Sequence, residues 1–177
     1  EFNGSSDFIK IPYTTNVILW GKFSIEMWAK KRLNDATTYQ VLASNNGGTT
    51  GSWVIYFDDG RVQWTVTDFE TINANSVNSG KWHHIVVTHD NTSAANNTVV
   101  YIDGSQRGSN NASDPYKLTS GRDILIGRRA PGNFFNGTID NFRIWNSSLS
   151  ASQLYSNNMK GSNVITGEAT TAGQDWW

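Results

Sequence analysis

Residues 53–66 read WVIYFDDGRVQWTV, and this stretch decides the fold. Two runs of β-branched, aromatic and other apolar residues flank the pair Asp59 and Gly60. Such residues favour strands, and an Asp-Gly pair accepts the positive φ angles of a tight hairpin turn. The stretch therefore predicts two antiparallel strands joined by a short turn.

Short apolar runs separated by turn residues continue on both sides of this hairpin. Residues 23–29 alternate strictly, so Phe23, Ile25, Met27 and Ala29 share one face of a strand. Further strands are predicted at residues 8–11, 82–88, 98–102, 124–127 and 137–145. This pattern predicts an all-β fold in which two antiparallel sheets form a β-sandwich.

One short helix is predicted near the C terminus. Ser150 can cap it, and residues 151–157 have the composition of a helix. Residues 158–177 are rich in Gly and Thr and end in two Trp residues, which predicts a tail that packs on the sandwich. We therefore interpret residues 1–177 as one domain whose core spans residues 2–157.

The bulk composition restricts the class of protein. The chain has 177 residues, of which 12% are aromatic and 16% are charged, and its net charge is −1. This is too apolar for a disordered chain, and it gives no general attraction to nucleic acid, so no nucleic-acid partner is predicted. Its longest apolar runs have about five residues, whereas a membrane helix needs ~18, so no membrane insertion is predicted. The absence of cysteine excludes disulfides.

Several segments, in this order, resemble the LamG-like jelly roll, the laminin-G and pentraxin branch of the concanavalin A-like lectin/glucanase superfamily. Two of them are GKWHHIVVTHD at residues 80–90 and FNGTIDNFRIWN at residues 135–146. The other matching segments are residues 2–11, 23–28, 100–104, 126–128 and 149–150. The resemblance implies a two-sheet antiparallel jelly-roll sandwich. It leaves function open, because such domains include glycan-binding modules, adhesion domains and spacers, and the wider superfamily includes enzymes.

The carboxylates do not have the pattern of a glycosidase. Glycoside hydrolysis usually requires two carboxylates about 5–10 Å apart on one cleft. None of the four Glu residues (Glu1, Glu26, Glu70 and Glu168) is followed by a second acid two or four positions later. His83 and His84 are adjacent on a predicted strand, so they point to opposite sides and cannot chelate one metal. We therefore predict that the chain is not an enzyme.

Calcium is a candidate structural ion, as the resemblance implies. Ca²⁺ binds oxygen ligands from carboxylates, amide side chains and carbonyls. The opening and closing strands of such folds usually neighbour each other, which makes Asn3, Asp7 and Asp140 the candidate ligands. The alternative is that Asp7 and Asp140 only accept hydrogen bonds from turns.

A ligand surface is expected near the loop that follows the strand at residues 124–127. Sugars are held by aromatic faces together with amide, carboxylate or guanidinium groups. The predicted ligand-binding residues are Arg128, Arg129, Asn133, Phe134 and Phe135, with Asn45, Asn46 and Trp53 lying across from them. A second candidate is a sheet face on which Trp28, Tyr56 and Trp64 present their rings. The alternative is that the loop is an ordinary turn and the Trp residues fill the core.

These observations favour a non-catalytic carbohydrate-binding or adhesion module of a larger secreted or cell-surface protein. The expected partners are a glycan or polysaccharide, possible cell-surface proteins and neighbouring domains of the parent protein. A structural or protein–protein interaction domain without a glycan site is the alternative. A polysaccharide-degrading enzyme is the least favoured hypothesis.

Overall fold

The computed structural model describes residues 1–13, 19, 21–33, 39–45, 51–67, 70–111 and 121–154. The strands in this part of the chain are β1 (Phe2–Asn3), β2 (Ile9–Ile11), β3 (Lys22–Lys31), β4 (Gln40–Ser44), β5 (Trp53–Asp58), β6 (Arg61–Val66), β7 (Glu70–Ser76), β8 (His83–Asp90), β9 (Thr98–Ile102), β10 (Ser105–Asn110), β11 (Ile124–Ile126) and β12 (Asn136–Trp145). One helix, α1, spans residues 151–154.

The strands form two six-stranded sheets. Sheet A has the order β1-β12-β3-β8-β9-β10, and sheet B has the order β2-β11-β4-β5-β6-β7. Each described strand pairing is antiparallel. The predicted two-sheet antiparallel jelly-roll sandwich with one short helix near the C terminus is confirmed.

The hairpin that decides the fold forms as predicted. Trp53 of β5 lies opposite Val66 of β6, and the pairing runs without a break to the turn. Asp59 and Gly60 have φ angles of 48° and 74°, which a tight turn between twisted strands requires. Trp64 is fully buried between the sheets, a burial that contributes roughly 2–3 kcal/mol for a large apolar side chain.

The alternation in β3 determines which side chains fill the sandwich. Phe23, Ile25 and Met27 lie in the core cluster between the sheets. Ser24 and Glu26 therefore point to the outer face of sheet A, yet both are buried. Outer-face burial arises because the chain folds back over this sheet after β12.

Helix α1 covers the middle of the outer face of sheet A. Leu149 and Leu154 pack there in a second apolar cluster with Val86 and Trp145. Ser150 begins the helix: its backbone N–H donates to Gln153 Oε1 (2.8 Å), and its Oγ accepts from the Gln153 backbone N–H (3.4 Å). This reciprocal pair is a capping box, so the predicted cap at Ser150 is confirmed.

The predicted continuation of the helix to residue 157 lies outside the described residues. So does the predicted packing of residues 158–177 on the sandwich.

The sandwich has two ends, which are formed by different strand ends and loops. At one end, β3 finishes at Lys31 and β12 begins at Asn136, whose backbone N–H donates to Gln40 Oε1 across the two sheets (3.0 Å). At the other end, β8 finishes at Asp90 and the chain turns through residues 91–96, of which 92–96 are exposed. The loop that carries most of the predicted ligand residues runs directly into Asn136, so it lies at the first end.

Candidate ligand-binding surface

Arg128 follows β11 and is held between two aromatic rings. Its Cζ lies 4.7 Å from the ring centre of Phe8 and 5.2 Å from that of Phe134. Phe8 is 40% exposed, so this stack is at the surface. The Arg128 Nε has no hydrogen-bond partner among the described residues. Two ring contacts, worth about 0.5–1 kcal/mol each at exposed sites, favour this position of the guanidinium.

Arg129 turns to the outer face of sheet B. Its Nη1 donates to the Tyr39 hydroxyl at 3.4 Å, and the Tyr39 ring lies 4.6 Å from the ring of Tyr56. The Tyr56 hydroxyl donates to Gln63 Oε1 at 2.7 Å. Burial raises the pKa of Tyr56 and outweighs the hydrogen bond from Thr65 that lowers it, so its hydroxyl stays protonated at neutral pH.

These two arrangements form one surface of aromatic rings and guanidinium groups. We define the stacked-arginine patch as Phe8, Tyr39, Arg128, Arg129 and Phe134. Asn133 lies beside it, is exposed and has a φ angle of 62°, a left-handed conformation that Asn tolerates well. Four of the predicted ligand-binding residues (Arg128, Arg129, Asn133 and Phe134) are therefore in one loop at the surface.

Three of the other predicted ligand residues are structural, which corrects the prediction for them. Phe135 is fully buried, and its ring contacts those of Phe2 and Phe57 at 6.1 and 6.0 Å. Trp53 is 3% exposed and stacks on a core Trp at 5.8 Å. Asn45 is also buried, and its Oδ1 accepts the Trp53 backbone N–H at 2.8 Å. None of these side chains presents a free face to solvent.

The remaining predictions for this surface have different outcomes. Asn46 lies outside the described residues. Trp64 is a core residue, which corrects the expectation that its ring lines a sheet face. Tyr56 does lie on the outer face of sheet B, but it is 8% exposed, and Trp28 is half-buried on the outer face of sheet A.

Sequence reasoning missed Phe8 and Tyr39. The signal for Phe8 was present, because it shares a strand face with Lys10 and not with the buried Ile11. An aromatic residue on the polar face of an edge strand is a candidate for ligand contact. Tyr39 had no such signal, because its position follows from the tertiary contact with Arg129.

The three predicted calcium ligands do not converge. Asn3 Oδ1 accepts the backbone N–H groups of Ser5, Ser6 and Asp7 at 2.9–3.2 Å, and Asp7 Oδ2 accepts the Asn3 backbone N–H at 3.1 Å. Asn3 pairs with Asn136, and Asp140 lies four residues further along β12, about 13 Å at ~3.3 Å per residue. Asn3 and Asp7 therefore close a turn, and Asp140 is not beside them.

Calcium stays a prediction on this evidence. Within the described ranges, no group of three or more His, Cys, Asp or Glu residues is placed to hold a metal ion. A structural calcium ion would stabilise the folded state by mass action, so a chelator would lower the melting temperature. An unchanged melting temperature in EDTA would reject the ion.

Glu26 is an internal structural group. Its Oε1 lies 2.8 Å from His84 Nε2, and its Oε2 accepts the Trp145 indole N–H at 2.9 Å. Glu26 and His84 are each 1% exposed, below α1 on the outer face of sheet A. His83 points the other way and contacts Asp103 at 2.8 Å. The two adjacent His side chains therefore serve different contacts, as predicted.

Comparison with known proteins identifies the family. A family model described as the concanavalin A-like lectin/glucanases superfamily, of laminin G type, matches residues 3–154. The chain belongs to the concanavalin A-like superfamily. The comparison of this concanavalin A-like domain with curated protein sequences finds no match.

Solved structures show the same fold at low sequence identity. The binding domain of botulinum neurotoxin serotype D is 16% identical with a TM-score of 0.71, over 90% of this chain and 41% of that chain. Domains LG4-5 of the mouse laminin α1 chain are 16% identical with a TM-score of 0.62, over 86% and 42%. Trypanosoma rangeli sialidase in complex with 2,3-difluorosialic acid is 17% identical with a TM-score of 0.65, over 93% and 28%.

This concanavalin A-like domain thus spans less than half of each of those solved chains. Among its described helices, none is long and apolar enough to cross a membrane.

Proposed function

We propose that this concanavalin A-like domain is a non-catalytic carbohydrate-binding module of a larger secreted or cell-surface protein, and that the stacked-arginine patch holds the glycan. The observation that carries the proposal is the Arg128 guanidinium, held at the surface between Phe8 and Phe134. Sugar rings stack on exposed aromatic faces, and a guanidinium offers a rigid fork of donors to hydroxyl or carboxylate oxygens. A side chain that is already oriented loses little entropy when a ligand binds.

Binding without catalysis is supported by the burial and the hydrogen bonds of Glu26. Most glycosidases need two carboxylates that face each other across an accessible cleft. Glu26 is enclosed and occupied by His84 and Trp145. Some solved neighbours are described as botulinum neurotoxin binding domains, which is consistent with this role, although others are structures of a sialidase.

A glycan array with matched variants tests the proposal. Arg128→Ala and Phe134→Ala should each reduce binding of an array-positive glycan about tenfold, because each removes part of the stack. Arg107→Ala is the matched control, since Arg107 is exposed on edge strand β10, away from the patch. A blank array for the wild-type domain, or equal binding by Arg128→Ala and wild type, would contradict the proposal.

A protein-interaction domain is the second candidate function. The observation that favours it is the exposed apolar edge at β2, where Phe8, Ile9 and Tyr13 are 40%, 37% and 38% exposed. Exposed apolar groups on an edge strand suit a protein partner. A blank glycan array together with binding to a cell-surface protein that Ile9→Lys abolishes would favour this candidate. Release of reducing ends from a polysaccharide would instead identify an enzyme.

A further inference from the structure

A second cluster of cations and aromatic rings lies on sheet A. Lys30 is on the outer face of β3, and the register that pairs Ala29 with His83 places Lys30 opposite Trp82. The Lys30 Nζ lies 5.2 Å from the centre of the Trp82 ring. Trp82 is 39% exposed, so this pair is at the surface.

Two further cations lie on the chain segments next to this pair. The Gly80 backbone N–H donates to the Lys31 carbonyl at 2.8 Å, which brings the loop carrying Lys81 against the end of β3. Arg32 follows β3, and its backbone N–H donates to the Asn136 carbonyl at 3.0 Å. The Arg32 and Lys81 side chains are both exposed. We define the basic-tryptophan cluster as Lys30, Arg32, Lys81 and Trp82.

The cations of this cluster lack carboxylate partners in the part of the chain that the structure describes. Lys10 and Lys22, which lie elsewhere, have Asp oxygens at 2.7 and 2.9 Å. No such ion pair within 4.0 Å is found for Lys30, Arg32 or Lys81. A local excess of positive charge on a chain of net charge −1 favours an anionic partner.

The neighbouring row of the sheet adds a second ring and two acids. Trp28 is half-buried and lies 5.2 Å from the ring of His84, which Glu26 holds in place. Asp140 of β12 lies opposite Trp28, and Asp103 follows His84 on the same row. Both are exposed, so the surface carries three cations and two carboxylates. Trp28 lies two residues before Lys30 on β3, and Trp82 lies opposite Lys30. The two Trp residues are therefore diagonal neighbours, with backbone positions about 7–8 Å apart.

We propose that the basic-tryptophan cluster binds an anionic polysaccharide, a sugar chain that bears carboxylate or sulfate groups. The Trp82 ring offers a stacking face for a sugar ring, and the cations pair with the acidic groups. An extended chain suits this surface, because its rings and charges follow one another across neighbouring strands of sheet A, beside the part of the face that α1 covers. This site is separate from the stacked-arginine patch and does not depend on it.

Polymers of defined charge provide the test. The full domain is titrated with dextran sulfate, with polygalacturonate and with neutral dextran, at low and at high salt. One or both anionic polymers should bind, neutral dextran should not, and binding should weaken with salt because exposed ion pairs are screened. Binding of only one anionic polymer identifies sulfate or carboxylate as the recognised group.

Variants locate the site. The triple variant Lys30→Gln/Arg32→Gln/Lys81→Gln should bind roughly 30-fold more weakly, since each exposed ion pair is worth up to about fivefold. Trp82→Ala should weaken binding about tenfold. Lys22→Gln is the matched control, because Lys22 lies at the opposite end of β3, and it should change binding less than about twofold. Circular dichroism melting verifies that each variant is folded.

Several results would overturn the inference. One is equal binding of the anionic polymer by the triple variant and wild type, and another is an equal loss in Lys22→Gln, which would indicate non-specific charge attraction. Tighter binding to single-stranded DNA or to phosphatidylserine vesicles than to either polymer would reject the ligand class. The polymer titration reports on this site and the glycan array reports on the stacked-arginine patch, so failure of one site is distinguishable from failure of the other.

Discussion

Glu26 shows at the residue scale how surroundings decide what a carboxylate does. On sequence alone it is an acid on the second face of an alternating strand, where solvent contact is expected. In the structure both of its oxygens are occupied, by His84 and Trp145, and α1 closes over it. Alternation correctly predicted the face but could not predict its burial, because the covering residues lie more than 100 positions further along the chain.

The Glu26 contacts can be tested by removing one acceptor. Glu26→Gln removes the negative charge and one acceptor oxygen between the buried His84 and Trp145 nitrogens, and should lower the free energy of unfolding by about 1–3 kcal/mol. Urea denaturation measures the change. Asp59→Asn is the control, because Asp59 is exposed at a hairpin tip and should change stability by less than about 0.5 kcal/mol. A Glu26→Gln variant as stable as wild type would show that these hydrogen bonds contribute nothing.

Asp90 gives the domain a pH-dependent contribution to stability. Partial burial opposes its ionisation, but hydrogen bonds from the Thr92 hydroxyl and backbone and from Lys22 outweigh that effect and lower its pKa from 3.8 to about 2. A carboxyl with a lowered pKa in the folded state stabilises that state above its unfolded pKa. This stabilisation is lost as the pH falls from about 4 to about 2.

The test for Asp90 compares two proteins across that pH range. Above pH 5, Asp90→Asn should be less stable than wild type by about 1 kcal/mol, a value that allows for solvent screening at this partly exposed site. The difference should shrink towards zero between pH 4 and pH 2, as followed by urea denaturation at each pH. A difference in stability that stays constant with pH would contradict this contribution of Asp90.

Gly137 illustrates a constraint at the scale of the elements. It lies in β12 opposite Lys31, where an added Cβ would be 2.2 Å from the Lys30 carbonyl oxygen and 2.7 Å from the Phe135 ring. Backbone atoms of a paired strand cannot move aside without breaking the sheet. Gly137→Ala should therefore lower the free energy of unfolding by more than about 3 kcal/mol.

Gly60 provides the control for that substitution. It has a φ angle of 74° in the β5–β6 turn, and an added Cβ there meets no atom within 4 Å. Gly60→Ala should cost only the backbone strain of a left-handed residue, about 1–2 kcal/mol. Chemical denaturation of both variants separates the two effects. Equal losses would show that the predicted clash at Gly137 is relieved.

Elements were predicted better than the positions of side chains in loops. Period-two alternation placed Phe23, Ile25 and Met27 in the core, and Asp59-Gly60 identified the hairpin turn. Phe134 and Phe135 are adjacent in an irregular loop, where no periodicity in the sequence predicts which ring turns inward. The hydrogen bond from the Phe135 backbone N–H to the Gly127 carbonyl decides it, and that contact is tertiary.

The whole molecule brings both candidate surfaces to one end of the sandwich. The stacked-arginine patch leads into Asn136 through its loop, and Arg32 of the basic-tryptophan cluster bonds to the carbonyl of the same residue. The Gln40 side chain joins the two sheets at this point. Sequence analysis found the first surface in part, because its cations and rings are neighbours in the chain. It did not find the second, whose members come together only through the pairing of β3 and β8.

Ligand binding should stabilise the whole domain. An array-positive glycan at 100 times its Kd should add about 2.7 kcal/mol to the free energy of unfolding and raise the Tm by about 5–10 °C. At the same glycan concentration, Arg128→Ala, which binds about tenfold more weakly, should keep only about 1.4 kcal/mol of this increase, while its ligand-free Tm stays within a few degrees of that of wild type. Thermal melting with and without glycan checks both points, and an undiminished shift in Arg128→Ala would count against the patch.

The exposed turn at residues 91–96 has a practical consequence for every one of these measurements. It lies at the end of the sandwich remote from Lys30 and Arg128, and the chain has no cysteine. Ala94→Cys would therefore create a single thiol for biotin or a fluorophore, on an exposed position. A sensor surface loaded through that thiol would present both candidate surfaces outward, whereas coupling through lysine amines would consume Lys30 and Lys81 themselves.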